Sequence, residues 1–282
     1  MSDRESRYVR AARIAYELTQ QTLPRYSRPK SPHHFTLPQL AACVLMTFYL
    51  DLSYRDMEEW LLASDKICQV LELPRVPDHS TLSRTYKKLR VVNFAAMKEQ
   101  LLDNLEIEEE GIAADSTGFS PSQASAYYQT RSGRVFREFI KGAYAVGIRS
   151  QFILAWRSGR GPSNDAPYLA RLRRDARRYG RYMGKRRAWT MIADAGFDGQ
   201  QVQDGDLIPP IRRSGKLVDP LRKARADLVA AARLDGLYGQ RWKSETVNSV
   251  IKRKFGDDIR SRLPRLQNRE PLIKGLVYNI HV

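Results

Sequence analysis

Asp115, Asp194 and Glu245 are the residues of this sequence best placed to do chemistry. Asp115 closes the run GIAAD and is followed by Ser116, Thr117 and Gly118; Asp194 closes AWTMIAD and is followed by Ala195 and Gly196. Each reads as a carboxylate at the end of a buried strand, facing the kind of cleft where open α/β sheets bind ligands. Glu245 lies in YGQRWKSETVNSVIK, residues 238–252, which reads as one amphipathic helix with Leu237, Trp242, Val247, Val250 and Ile251 as its apolar residues. Tyr238, Arg241, Glu245 and Lys252 fall at offsets 0, 3, 7 and 14 and so keep one angular sector of that helix. A single aspartate is commonly a turn former, and spaced helix charges are commonly surface ion pairs. Two strand-end aspartates together with a glutamate helix favour one shared site. Carboxylates gathered there would repel, by about 4 kcal/mol for a pair ~4 Å apart at an effective dielectric of 20. A divalent cation relieves that repulsion, and a set of oxygen ligands without Cys or His suits Mg²⁺ or Mn²⁺ better than zinc.

Three motifs in this order carry a family resemblance: DST at Asp115, DAGFD at Asp194, and Y-x2-R-x3-E-x6-K from Tyr238 to Lys252. Over about residues 30 to 282 the chain resembles the DDE transposases of bacterial and archaeal insertion sequences. The resemblance implies a ribonuclease-H-like catalytic domain with Asp115, Asp194 and Glu245 as catalytic metal ligands. It implies two Mg²⁺ or Mn²⁺ ions, about 3.5–4 Å apart, that activate a water or a DNA 3′-hydroxyl and stabilise the leaving 3′-oxygen. Element ends would first be nicked and then joined to target DNA. Arg241 and Lys252 would bind phosphates of the transferred end, and Tyr238 would stack on it or hydrogen-bond to it. Asp198 is a weaker candidate for the same site and reads rather as a cap for the next helix. Joining two ends implies a homo-oligomer on double-stranded DNA, and the resemblance implies a prokaryotic cytoplasm at the nucleoid. A metal-dependent nuclease of the same fold, a DNA-binding regulator and an inactive remnant of a mobile element are the alternatives.

Composition fits a nucleic-acid partner. Lys and Arg number 48 against 31 acidic residues, for a net charge of +17; an RNA binder would share that excess. Cys43 and Cys68 fall in predicted helices without metal-ligand spacing and read as reduced core residues. His33 and His34 sit in a Pro-flanked segment and read as linker. The longest apolar run, Leu40 to Leu50, is too short to span a bilayer.

The elements that must position the site are expected in this order. Residues 1–35 hold a helix, Arg4 to Gln20, and a linker. Residues 36–105 form a helical, helix-turn-helix-like region, and residues 110–282 an α/β catalytic domain with a mixed sheet flanked by helices. In the helical region Ser53 and Asp56 form a capping box. Ser80 or Thr81 caps a helix with Leu82, Tyr86 and Leu89 inside and Ser83, Arg84, Lys87 and Lys88 outside. That helix could offer its amino end and basic face, with Arg84, Lys87 and Lys88, to DNA, or belong to an ordinary bundle. Strands are expected at 112–115, 140–148, 152–156, up to Asp194 and at 206–211, with a tight turn near Arg149 to Gln151. Helices are expected at 165–179, about 220–234 and 238–254. In ARLRRDARRYGRYMGKRR, Arg173, Arg177 and Arg181 are four apart and would make a helical stripe, read here as tracking phosphates. Arg212, Arg213 and Lys216 follow the fifth strand, near the same duplex or as ordinary loop charges.

Overall fold

The computed structural model describes residues 5–28, 33–122, 127, 130–131, 139–180, 182–183, 186–187, 190–212 and 217–282. The chain divides into two compact units. One holds the residues up to Leu105 with Arg253–Gly256 and Ile273–Val282; the other holds Glu106–Lys252 and Asp257–Leu272.

The first unit is helical: α1 (Arg7–Thr22), α2 (Leu37–Tyr49), α3 (Tyr54–Leu62), α4 (Asp65–Val70), α5 (His79–Lys88) and α6 (Val91–Asn104). Residues Ala41 to Met46 of α2 are all buried, so this helix is apolar around its circumference and forms the centre of the bundle. Its start is fixed by a reciprocal cap between Thr36 and Gln39. The Ser53–Asp56 capping box opens α3 as the sequence suggests. Helix α5, however, is capped by Asp78, whose carboxylate accepts the Thr81 N–H at 3.0 Å, and not by Ser80 or Thr81. An aspartate held in extended backbone after Pro77 is the stronger acceptor for that first turn. Leu82, Tyr86 and Leu89 are buried, while Arg84, Lys87 and Lys88 are exposed. Cys43 is buried in α2 and Cys68 lies in α4, both as free thiols.

The second unit is a mixed α/β structure. Strands β1 (Gly111–Pro121), β2 (Ile140–Gly147) and β3 (Ile153–Arg160) form an antiparallel meander. Helix α7 (Ala166–Ala176) follows, with a 3-10 turn over Arg177–Tyr179. Two short paired strands come next, β4 (Tyr182–Met183) and β5 (Arg186–Arg187), then β6 (Thr190–Ala193), which lies parallel to β1. The unit continues through α8 (Pro220–Leu234), a 3-10 turn over Tyr238–Arg241, α9 (Trp242–Phe255), β7 (Asp258–Ile259), α10 (Pro264–Gln267) and α11 (Glu270–His281), of which the end of α9 and most of α11 belong to the first unit. The sheet order is β3-β2-β1-β6, and β7 pairs with the far end of β1.

Every residue of β2 is buried, which marks a central strand covered on both faces. The β2–β3 turn falls where expected and is held by the buried carboxylate of Glu109. It accepts the N–H groups of Arg149 and Ser150 at 2.9 and 2.8 Å. A Cβ at residue 147 would overlap that carboxylate, so only glycine fits there.

In the sheet and in the helix after β3, three expectations change. Asp115 does not end its strand: β1 continues to Pro121 because Asp115 to Phe119 pair with Tyr144 to Ile140 of β2. Residues 206–211 make only one bridge, Leu207 against Ile192, and no strand. Pro209 and Pro210 have no N–H to extend the ladder. The helix expected at 165–179 ends at Ala176, so the arginine stripe does not continue as one α-helix to Arg181. Arg181, Arg213 and Lys216 lie outside the described residues.

Candidate active site

Ala114 of β1 and Ala193 of β6 are registered partners in a parallel pair. The residues that follow them, Asp115 and Asp194, therefore emerge side by side where β6 stops. Asp194 caps the 3-10 turn Ala195–Phe197, its Oδ1 accepting the Gly196 N–H at 2.9 Å. Asp115 is largely buried. Burial pushes its carboxyl up to about 6; the Ser116 N–H and the Asn248 amide pull it down, the Asp194 charge pushes it up and Arg241 pulls it down. Asn248, on α9, donates from Nδ2 to Asp115 Oδ2 at 2.8 Å. The strand pair and the helix that carries Glu245 thus meet at Asp115.

The glutamate helix is not one α-helix from Tyr238. Tyr238–Arg241 is a 3-10 turn and α9 begins at Trp242, which is half-exposed. Glu245 sits in the first turn of α9, 50 % exposed at its side chain, with Arg241 at 2.6 Å. Among the described residues, no three His, Cys, Asp or Glu side chains are gathered into a metal-holding group. The two aspartates stand together, while Glu245 lies on the adjoining helix paired with its own arginine.

The other signature residues occupy the same neighbourhood. The Tyr238 hydroxyl donates to the Ala193 carbonyl at 3.4 Å, and its ring packs against Ile192, Leu207, Val229 and Ala232. That anchors the residue before Asp194. The Lys252 ammonium lies 5.7 Å from the ring centroid of Phe119, four residues beyond Asp115 on β1. Asn248 against Asp115 and Lys252 over Phe119 lay α9 along the strand.

Two features escaped the sequence reading. Asp165, just before α7, accepts from Ser116 Oγ at 2.7 Å and from Lys141 Nζ at 2.8 Å. A Cβ on Gly196 would lie 3.0 Å from Asp194 Oδ1 and 3.2 Å from Asp165 Oδ2, so Asp165 belongs to the same acidic corner. The other feature is Asn248, a polar residue flanked by the buried Val247 and Ile251 on the inner face of α9. That placement was its signal in the sequence.

The basic residues divide. Arg173 points inward and pairs with Asp206, the two side chains being 11 % and 6 % exposed. Arg177 is exposed at the start of the 3-10 turn. Asp198 does not cap a helix; it is nearly buried between Arg222 and Arg225 of α8 and accepts the Ile211 N–H at 2.8 Å. Burial holds the Asp206 carboxyl above the usual range even with Arg173 beside it. Arg173→Ala would strand that carboxylate and is expected to cost about 3 kcal/mol, read as a lower midpoint in urea unfolding.

A mixed sheet of this order, flanked by helices, with two aspartates at adjacent strands and a glutamate on the following helix, is a ribonuclease-H-like arrangement. A family model described as Transposase DDE domain matches residues 106–280, and the chain belongs to that family. It is a transposase, a class of enzyme that cleaves and moves DNA. No curated protein matches it. Among the described residues no helix is long and apolar enough to cross a membrane.

Proposed function

We propose that this protein cuts the ends of an insertion sequence and joins them to target DNA, with Asp115, Asp194 and Glu245 as the ligands of Mg²⁺ or Mn²⁺. The observation that carries the reading is the meeting of three separate chain segments at Asp115: its own strand, Asp194 on β6, and the helix of Glu245 through Asn248. The donor set is oxygen throughout, and the amide oxygen Oδ1 of Asn248 is buried without a hydrogen-bond partner. A carboxyl raised first by its burial and further by the Asp194 charge is a site short of positive charge, which fits a hard divalent cation. Two such ions supply activation of the attacking oxygen and stabilisation of the leaving one.

The protein's own groups have distinct parts in this reading. The parallel register of β1 and β6 holds the two aspartates fixed. Glu245 would leave Arg241 for a bound cation, and the guanidinium would then be free for a phosphate of the DNA. Lys252, on the same helix, takes a further phosphate. Tyr238 acts through Ala193 by holding the turn that carries Asp194. Helix α5 with Arg84, Lys87 and Lys88 supplies duplex contacts, as does Arg177; Arg173 supports the fold through Asp206. The domain limits proposed for these tasks are 36–105 for DNA recognition and 110–282 for catalysis, acting as a homo-oligomer on paired ends.

The test is a labelled duplex carrying the inverted repeats that flank the gene, incubated with Mg²⁺ or Mn²⁺ and a target plasmid. Metal-dependent nicks at the repeat tips together with joined products support the proposal. Nicking without joining would favour a nuclease, and specific binding without cleavage under either metal would favour a regulator.

A further inference from the structure

Asn248 is 6 % exposed and sits on the inner face of α9 between two fully buried aliphatic residues. An apolar side chain would pack there without polar cost. The asparagine instead spends its donor end on Asp115 Oδ2, at 2.8 Å, and leaves its own Oδ1 buried and unpartnered. Buried amides ordinarily satisfy both ends, so packing alone does not account for this residue. It lies three residues after Glu245, on the same side of the helix. One contact therefore fixes the carboxylate of Asp115 and the helix that presents Glu245.

We propose that Asn248 is a positioning residue of the cation site: it holds Oδ2 of Asp115 so that Oδ1 is presented to the metal, and it ties Glu245's helix to β1. This rests on the reading of Asp115, Asp194 and Glu245 as metal ligands. The residue does not touch the reacting atoms; it acts through Asp115.

The test uses the full chain without DNA and Mn²⁺ alone, following the electron paramagnetic resonance signal of the free ion. Asn248→Ala removes the donor, and Asn248→Ser carries a hydroxyl too short to span the same gap. Each is expected to weaken Mn²⁺ binding roughly 10–100-fold, as loss of a group orienting a metal ligand does. Affinity for duplex DNA without metal should stay within about twofold, and melting should remain cooperative. Wild-type Mn²⁺ affinity in either folded variant overturns the proposal, and so does a parallel fall in Mn²⁺ affinity, DNA affinity and stability, which marks a packing residue. If Asp115→Asn and Glu245→Gln bind Mn²⁺ like the wild type, the metal reading itself fails and this inference with it. Binding lost in those two but kept in the Asn248 variants defeats the positioning role alone. Should Asn248→Ala not fold, Asn248→Ser decides.

Discussion

Asp115→Asn is expected to stabilise the metal-free protein by about 3 kcal/mol at pH 7 while abolishing DNA cleavage. The carboxyl of Asp115 is raised from 3.8 to about 6, first by burial and further by Asp194. The folded chain therefore keeps this proton over a pH range in which the unfolded chain has released it. Stability from this group is complete below about pH 4, falls as pH rises through about 6, and is flat above. Asparagine keeps the shape, can still accept the Asn248 N–H, and carries no charge to desolvate. Urea unfolding at pH 4 and pH 7 reads the effect: the two proteins should agree at pH 4, and the variant should be the more stable at pH 7. A variant less stable than the wild type at pH 7 would show that Asp115 is a structural carboxylate. The same uncompensated charge is what a cation bound at the proposed site would neutralise.

Glu245→Gln is expected to reduce metal-dependent cleavage about 10³-fold or more, the loss of roughly 4 kcal/mol of transition-state stabilisation, with stability changed by less than about 1 kcal/mol. Its side chain is half-exposed and its ion pair with Arg241 is local, so the fold has little invested in the charge. The contrast with Asp115 is the informative part. One variant is expected to lose activity and gain stability because its carboxylate is largely buried; the other is expected to lose activity alone because its carboxylate is half-exposed. Full cleavage by Glu245→Gln, measured on the same labelled duplex, would remove Glu245 from the catalytic set.

That the candidate residues Asp115, Asp194 and Glu245 lie on or beside two strands and on a later helix was legible in the sequence, because apolar runs ending in DS and DA and the Y-R-E-K spacing are local signals. What the sequence hid was set by partners far along the chain. Ser116, Thr117 and Gly118 look like a loop, yet pairing with Ala143, Gly142 and Lys141 keeps them in β1. Arg173 looks like part of a basic stripe, yet Asp206 draws it inward. The parallel pairing seen at Leu207 stops short of a strand because two prolines follow within three residues. The hydrogen bond of Asn248 is set by Asp115, 133 residues away in sequence.

The most direct measurement of the central claim is the anomalous scattering of Mn²⁺ soaked into crystals of the full chain. An anomalous peak bound by Asp115 and Asp194 is expected, with Glu245 turned from Arg241 to join them. Mn²⁺ bound elsewhere, with Asp115 and Asp194 free of metal at concentrations that support cleavage, would contradict it.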